Sequence, residues 1–185
     1  MIRNVAAKLF VDKGFENTSI KDLAAAAGIS TSVIYYYFDS KEELLYQIVD
    51  ETLNAGLELI SEVEKSEKSP KEKLTSVLDI HTRSYADDIH KVILMVRDHK
   101  SLSEEHRAAL DEKRRQYVKV LIRILEGLKT SGEMLHLNST VCAYAFFGMV
   151  SWIYRWYNPK GKIKPKELSE IFKQIFTKGI YSERS

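Results

Sequence analysis

The sequence predicts an all-α protein in two parts, a three-helix helix-turn-helix module over residues 1–46 and a larger helical domain over residues 47–185. Three observations predict it. Apolar residues recur at helical spacing along most of the chain. Ser, Thr and Asn stand where helix starts need an acceptor for their free amides. Strand signals are nearly absent, and there are only three prolines in 185 residues.

The segment Thr18 to Leu44, TSIKDLAAAAGISTSVIYYYFDSKEEL, reads as two short helices joined by a glycine turn and followed by a capped third. Thr18 or Ser19 opens the first, with Asp22 near its positive end, and Gly28 closes it. Ile20, Leu23, Ala24 and Ala27 share a face, and the four alanines let a second helix approach closely. That second helix is predicted from about Ser30, its N-cap, to Phe38, with Ile34 and Phe38 inward and Thr31, Ser32 and Tyr35 outward. Small hydroxyls and a tyrosine suit a groove of duplex DNA, because they reach phosphates and base edges without filling the space the backbone needs. Ser40 and Glu43 form the expected capping box of the next helix, and Lys41 in its first turn is placed to meet a phosphate. The bland alternative is the first three helices of an ordinary bundle with Tyr35 to Phe38 as core, which would not gather Thr31, Ser32 and Tyr35 on one face.

From Ala6 to Leu45 the chain resembles the DNA-binding domain of the TetR family of bacterial transcriptional regulators. The resemblance rests on Leu9-Phe10, Gly14-Phe15, Thr18, Ala24 to Gly28, Tyr35, Tyr36, Phe38, Lys41 and Leu44, all at the family's spacing. It implies DNA contacts at Thr18, Ser30, Thr31, Ser32, Tyr35, Tyr37 and Lys41. Thr31 stands where the family often has Lys, and Tyr37 where it often has His, so the operator sequence does not carry over. Arg3, Lys8, Lys13, Lys21 and Lys41 face six acids in the module, Asp12, Glu16, Asp22, Asp39, Glu42 and Glu43, so phosphate binding must come from helix N-termini and local placement of cations. The family usually has a basic lead-in before its first helix. The chain begins inside that helix, so a shortened N-terminus is expected.

A hydrophobic content of 44% is enough for one sizeable core and a small satellite domain, and a formal charge of +2 points to no partner by itself. The single cysteine, Cys142, excludes an internal disulfide, and with no long uncharged apolar run and no secretory leader the expected location is cytoplasmic, with no membrane partner.

Beyond the module the pattern predicts a helix from Ser40 to about Lys65, with Leu44, Leu45, Ile48, Val49, Thr52 and Leu53 buried, acting as a lever between the two parts. After the polar run KSEKSPKEK, Ser69, Pro70 and Glu72 open a helix to about Ala86. Others are expected near Asp88–His99, from Ser103 to Lys129, from Thr140 to Tyr157 and from Pro165 onward, about nine in all.

The last helix carries Leu168, Ile171, Phe172, Ile175, Phe176 and Ile180 on one stripe, and the one before it brings Ala143, Ala145 and Gly148 alongside large aromatics. Together they suit a four-helix interface between two copies of the chain, and a homodimer would present two recognition helices to successive major grooves about 34 Å apart. The alternative for these residues is intrachain core.

The segment Phe146 to Phe172, FFGMVSWIYRWYNPKGKIKPKELSEIF, resembles the C-terminal part of TetR-family repressors of fatty-acid and steroid breakdown that release DNA on binding an acyl-CoA. Such a ligand needs an apolar tunnel and cations at its mouth. Met95, Tyr117, Leu121 and Phe147 are candidates for the tunnel, Arg97, Arg114 and Arg155 for the phosphates, and Trp152 or Trp156 for stacking on adenine. Each also has an ordinary reading as core aromatic or solvated charge. No catalytic motif, cofactor site or metal site is expected: there is no glycine-rich phosphate loop or His-Glu-x-x-His, and Asp87, Asp88 and His90 read as a cap and solvent charges. His81, His99, His106 and His136 are scattered, though two or three could hydrogen-bond a ligand. The expected function is a ligand-responsive transcriptional repressor of double-stranded operator DNA. The alternatives are a TetR-type regulator of a drug or other hydrophobic compound, and a helical ligand-binding protein without DNA binding.

Overall fold

The computed structural model describes residues 1–180. Among these every element is helical: α1 (Ile2–Lys13), α2 (Ile20–Ala27), α3 (Thr31–Tyr37), α4 (Lys41–Lys65), α5 (Pro70–Asp87), α6 (Ile89–Arg97), a 3₁₀ turn (Asp98–Ser101), α7 (Glu104–Thr130), α8 (Ser139–Ser151), α9 (Ile153–Trp156) and α10 (Pro165–Ile180). The all-α expectation holds, with two local differences. The helix expected from Thr140 to Tyr157 breaks at Trp152, where no Pro or Gly marks the break. The one expected near Asp88–His99 ends in the 3₁₀ turn.

Local chemistry accounts for the starts. Ser19, not Thr18, caps α2: its Oγ accepts the Asp22 amide at 3.1 Å while the Asp22 carboxylate accepts the Ser19 amide at 2.8 Å. Ser69 and Glu72 close the same reciprocal box on α5, with Pro70 at its first position. On α4 only one arm of the expected box forms. Ser40 Oγ accepts the Glu43 amide at 3.0 Å, but the Glu43 carboxylate accepts from Gln47 and lies beside His106 instead. Gly28 ends α2 in the left-handed region, at φ 66°, and so permits the tight turn into α3.

The described residues form two compact units. The first comprises Met1–Asn54 and Ile89–Glu112, the second Ala55–Asp88 and the chain from Lys113 on. A single cut along the sequence does not express this, because α6 packs on α1 within the first unit. There, Phe10 and Phe15 meet edge to face at 5.1 Å, and Leu23, Ile34, Leu44 and Leu45 are buried in the same unit. In the second unit α10 lies along α5, tied by the Ser169 hydroxyl donating to Asp79 at 2.7 Å. Leu74, Leu78, Leu121, Leu125 and Phe146 fill the space between its helices. No described helix is long and apolar enough to cross a membrane.

Candidate DNA-binding surface and effector site

The short helix α3 turns Ile34 inward, with Phe38 just past its end, and leaves the rest outward. Ser30 caps it by accepting the Val33 amide at 3.4 Å, and Ser30 and Ser32 are exposed and Thr31 half-buried. Tyr35 and Tyr37 are 56% and 60% exposed, so their phenols stand in solvent rather than in the core. Sequence reasoning passed over two neighbours on this surface. Tyr36 is the most open, at 81%, and Val33 is also exposed. The spacing Ser32, Tyr35, Tyr36 places all three on one helical face, which was the available signal.

Beside α3 lies an open groove of about 450 Å³ that brings together Thr18, Ser19, Tyr35, Ser40 and Lys41. The N-terminal ends of α2 and α4 both border it, each offering free amides and the positive end of a helix dipole. Two of its candidates are already engaged. The Thr18 side chain is buried and donates to the Gly14 carbonyl at 2.7 Å, so it closes a turn and is not displayed. The Lys41 ammonium donates to the Phe15 carbonyl at 2.8 Å and sits 4.3 Å from the Phe15 ring centroid, which fixes where its charge is held. The acid excess of this region is partly consumed internally. Lys13, then Ser19, hold the Asp22 carboxyl well below its usual range, and Glu42 accepts from the Ser103 amide and lies beside His106.

The effector candidates fall in two places. Met95 and Arg97 belong to the first unit. Met95 is buried there, and Arg97 donates to Asp98 at 2.9 and 2.8 Å and to the Phe10 carbonyl at 3.0 Å. Arg97 thus ties α6 to α1, with Asp98 raising its already high pKa. The others lie in the second unit. Tyr117 and Leu121 are buried and Phe147 half-buried, with the Tyr117 and Phe147 rings edge to face at 5.7 Å. Arg114 is half-buried, and its charge acts on the Tyr85 phenol. Trp152, Arg155 and Trp156 are exposed, the Arg155 guanidinium 5.6 Å from the Trp152 ring centroid.

At the centre of the second unit's aromatic cluster stands His81. Its ring lies 4.3 Å from Tyr85, 5.3 Å from Tyr117, 5.5 Å from Phe146 and 5.0 Å from Phe147, centroid to centroid. Nδ1 is 3.0 Å from the Tyr117 hydroxyl, and burial pushes the imidazole down to about 3, so it is neutral at physiological pH. Burial raises the Tyr117 and Tyr85 phenols in turn. No described group of three or more His, Cys, Asp or Glu side chains is arranged to hold a metal.

Two family models cover nearly all of this architecture. Residues 2–48 match the bacterial regulatory proteins of the tetR family, and residues 67–180 match the tetracyclin repressor-like C-terminal domain. The chain belongs to the TetR family. It is therefore a bacterial regulatory protein, and neither family model describes an enzyme. Among curated TetR-family relatives, the HTH-type transcriptional repressor KstR2 of Mycolicibacterium smegmatis is 25% identical over 95% of this chain and 87% of its own length. Among solved structures, the TetR-family regulator PfmR from Thermus thermophilus superposes with a TM-score of 0.90 at 31% identity, covering 99% of each chain. AibR, solved in complex with isovaleryl coenzyme A and operator DNA, superposes with a TM-score of 0.83 at 28% identity, covering 95% of this chain and 96% of its own.

Proposed function

We propose that this TetR-family protein is a homodimeric repressor that binds double-stranded operator DNA and leaves it when an acyl-CoA enters the second unit. The observation that carries the DNA reading is the outward display of Ser30, Ser32, Tyr35 and Tyr37 on α3 beside the groove that holds Lys41. Phosphate oxygens would meet the helix ends and Lys41, and α3 would face the base edges, with Thr31 in its first turn and Thr18 setting the turn behind it. As a functional division we keep residues 1–46 for DNA and residues 47–185 for effector and dimerisation, in a protein acting in the cytoplasm where its operator is.

The dimer reading rests on an apolar face that the second unit leaves uncovered. Val141, Tyr144, Ala145 and Gly148 form one exposed stripe of α8, at i, i+3, i+4 and i+7, Trp152 is exposed just past its end, and Ile171 and Ile175 are exposed on α10. A stripe with small residues at its middle lets a second copy approach closely, which suits an isologous four-helix contact.

For the effector, the AibR complex with isovaleryl coenzyme A supports an acyl-CoA. In this chain Tyr117, Leu121 and Phe147 offer apolar contact to the acyl chain, while Arg114, Arg155, Trp152 and Trp156 offer charge and stacking to the nucleotide. A cationic drug is the second reading, favoured by the aromatic rings around His81 but opposed by Arg114 beside them. Response would follow from different affinities of the effector for the DNA-competent and DNA-free conformations.

A gel-shift titration tests the proposal on a duplex selected from a random library. Long-chain acyl-CoA should dissolve the complex. A complex that survives saturating acyl-CoA removes the effector class and leaves the DNA reading standing; no salt-dependent binding to any duplex removes the DNA reading.

A further inference from the structure

Nε2 of His81 is one of the buried polar atoms that, among the described residues, have no hydrogen-bond partner. The residue is 5% exposed, and no described group lies within hydrogen-bond reach of that nitrogen. The hydroxyl oxygens of Thr82 and Ser139 and Nε of Arg3 share this condition, but a hydroxyl can rotate and the Arg3 guanidinium is engaged through Nη2 with Gln47, recourses a buried imidazole lacks. The state of Nε2 follows from its partner. Of the two tautomers, the one in which the buried Tyr117 hydroxyl donates to Nδ1, 3.0 Å away, satisfies the phenol proton. In that tautomer the neutral imidazole carries its own proton on Nε2, a buried donor on a ring packed among Tyr85, Phe146 and Phe147.

A buried donor among aromatic carbons selects for a neutral acceptor on an otherwise apolar molecule. An ammonium group offers that N–H no acceptor. Phe147 and Tyr85 are the half-buried members of the ring set.

We propose that His81 is the specificity-determining donor of the effector site: its Nε2–H pairs with the carbonyl oxygen of the effector's acyl group, and Tyr117 is the positioning residue that fixes the tautomer. The inference rests on the acyl-CoA reading and deepens it, because it assigns the atom by which the thioester, and not the hydrocarbon chain alone, is recognised.

The experiment measures the affinity of the intact protein for matched pairs of ligands, octanoyl-CoA against S-octyl-CoA and palmitoyl-CoA against S-hexadecyl-CoA. Each thioether keeps chain and nucleotide and replaces the carbonyl by a methylene. The wild type should prefer the thioester by about tenfold or more, which corresponds to about 1.4 kcal/mol. In His81→Phe the preference should collapse toward one, and His81→Gln, whose amide nitrogen reaches the position of Nε2, should restore part of it. Thermal melting of both variants confirms the fold. Equal affinity of the wild type for both members of a pair overturns the His81 assignment and leaves the acyl-CoA reading intact. So does a preference that persists in His81→Phe, the result expected if a water alone answers Nε2. Failure of all four ligands to bind the wild type overturns both readings.

Discussion

The imidazole of His106 lies flat on the ring of Tyr46, centroids 4.0 Å apart and planes 9° from parallel. From that position Nδ1 is 2.9 Å from Glu42 and Nε2 is 3.5 Å from Glu43, while Glu42 also accepts the Ser103 amide at 2.7 Å. The first turn of α4 and the start of α7 are thus held together within the first unit by two carboxylates and one ring.

That arrangement predicts an acid-sensitive contact. The Ser103 amide first, then His106, hold the Glu42 carboxyl below its ordinary 4.5. A depressed carboxyl contributes stability above its unfolded pKa that is lost as pH falls through the folded value. Urea midpoints measured between about pH 7 and about pH 3.5 should therefore fall more steeply for the wild type than for Glu42→Gln, which should begin lower at neutral pH. Parallel curves would remove the linkage.

The exposed tyrosines of α3 should separate binding from folding. Tyr35→Ala and Tyr36→Ala each remove a side chain that touches little of the protein, so melting should shift by less than about 0.5 kcal/mol in equivalent stability. Operator affinity should fall about tenfold or more if each contributes about 1–3 kcal/mol to a base or phosphate contact. Lys41→Ala should cost both, because Nζ also holds the Phe15 carbonyl. Its signature is a shallower salt dependence of binding alongside a lower melting point.

Gly56 predicts an unusual response to a helix-favouring substitution. A Cβ there would come 3.1 Å from Cε2 of Tyr117, a ring held by His81 and Phe147. Alanine normally stabilises a helix interior by about 1 kcal/mol over glycine. Here Gly56→Ala should lower the melting temperature by about 2–4 °C for a net loss near 1 kcal/mol. A rise in melting temperature would mean that the Tyr117 ring yields freely.

A charge on the uncovered apolar face should split the proposed dimer. Tyr144→Glu on α8 and Ile175→Glu on α10 replace exposed side chains, so each protomer should keep its helicity. Sedimentation at micromolar concentration should then show a monomer, with operator affinity reduced in step. A variant that remains dimeric would move the interface elsewhere.

Much of this was legible because helix starts are written locally. Ser19 with Asp22 and Ser69-Pro70 with Glu72 complete their bonds within four residues, so residue type and spacing suffice. The reading fails where a distant residue intervenes. Glu43 is drawn from the expected box by Gln47, one turn on, and by His106, more than sixty positions away, and Arg97 is claimed by Asp98 and the Phe10 backbone. Thr18 had the right residue type, but Gly14 supplies the carbonyl that buries its hydroxyl. The stripe on α10 was visible, yet its division between buried Phe172 and exposed Ile175 depends on how α5 lies against it. The His81 ring set assembles from α5, α7 and α8, and no linear pattern announces it.

The brevity of α3 limits how much text it can read. Seven residues rise about 10 Å, the length of roughly three base-pair steps. A word of three letters recurs by chance every few dozen positions in a genome and names nothing. Spelled twice, at a fixed interval and in mirrored order, the same word becomes roughly sixty times rarer, so the proposed pairing of two copies narrows the choice of site far more than either helix can alone.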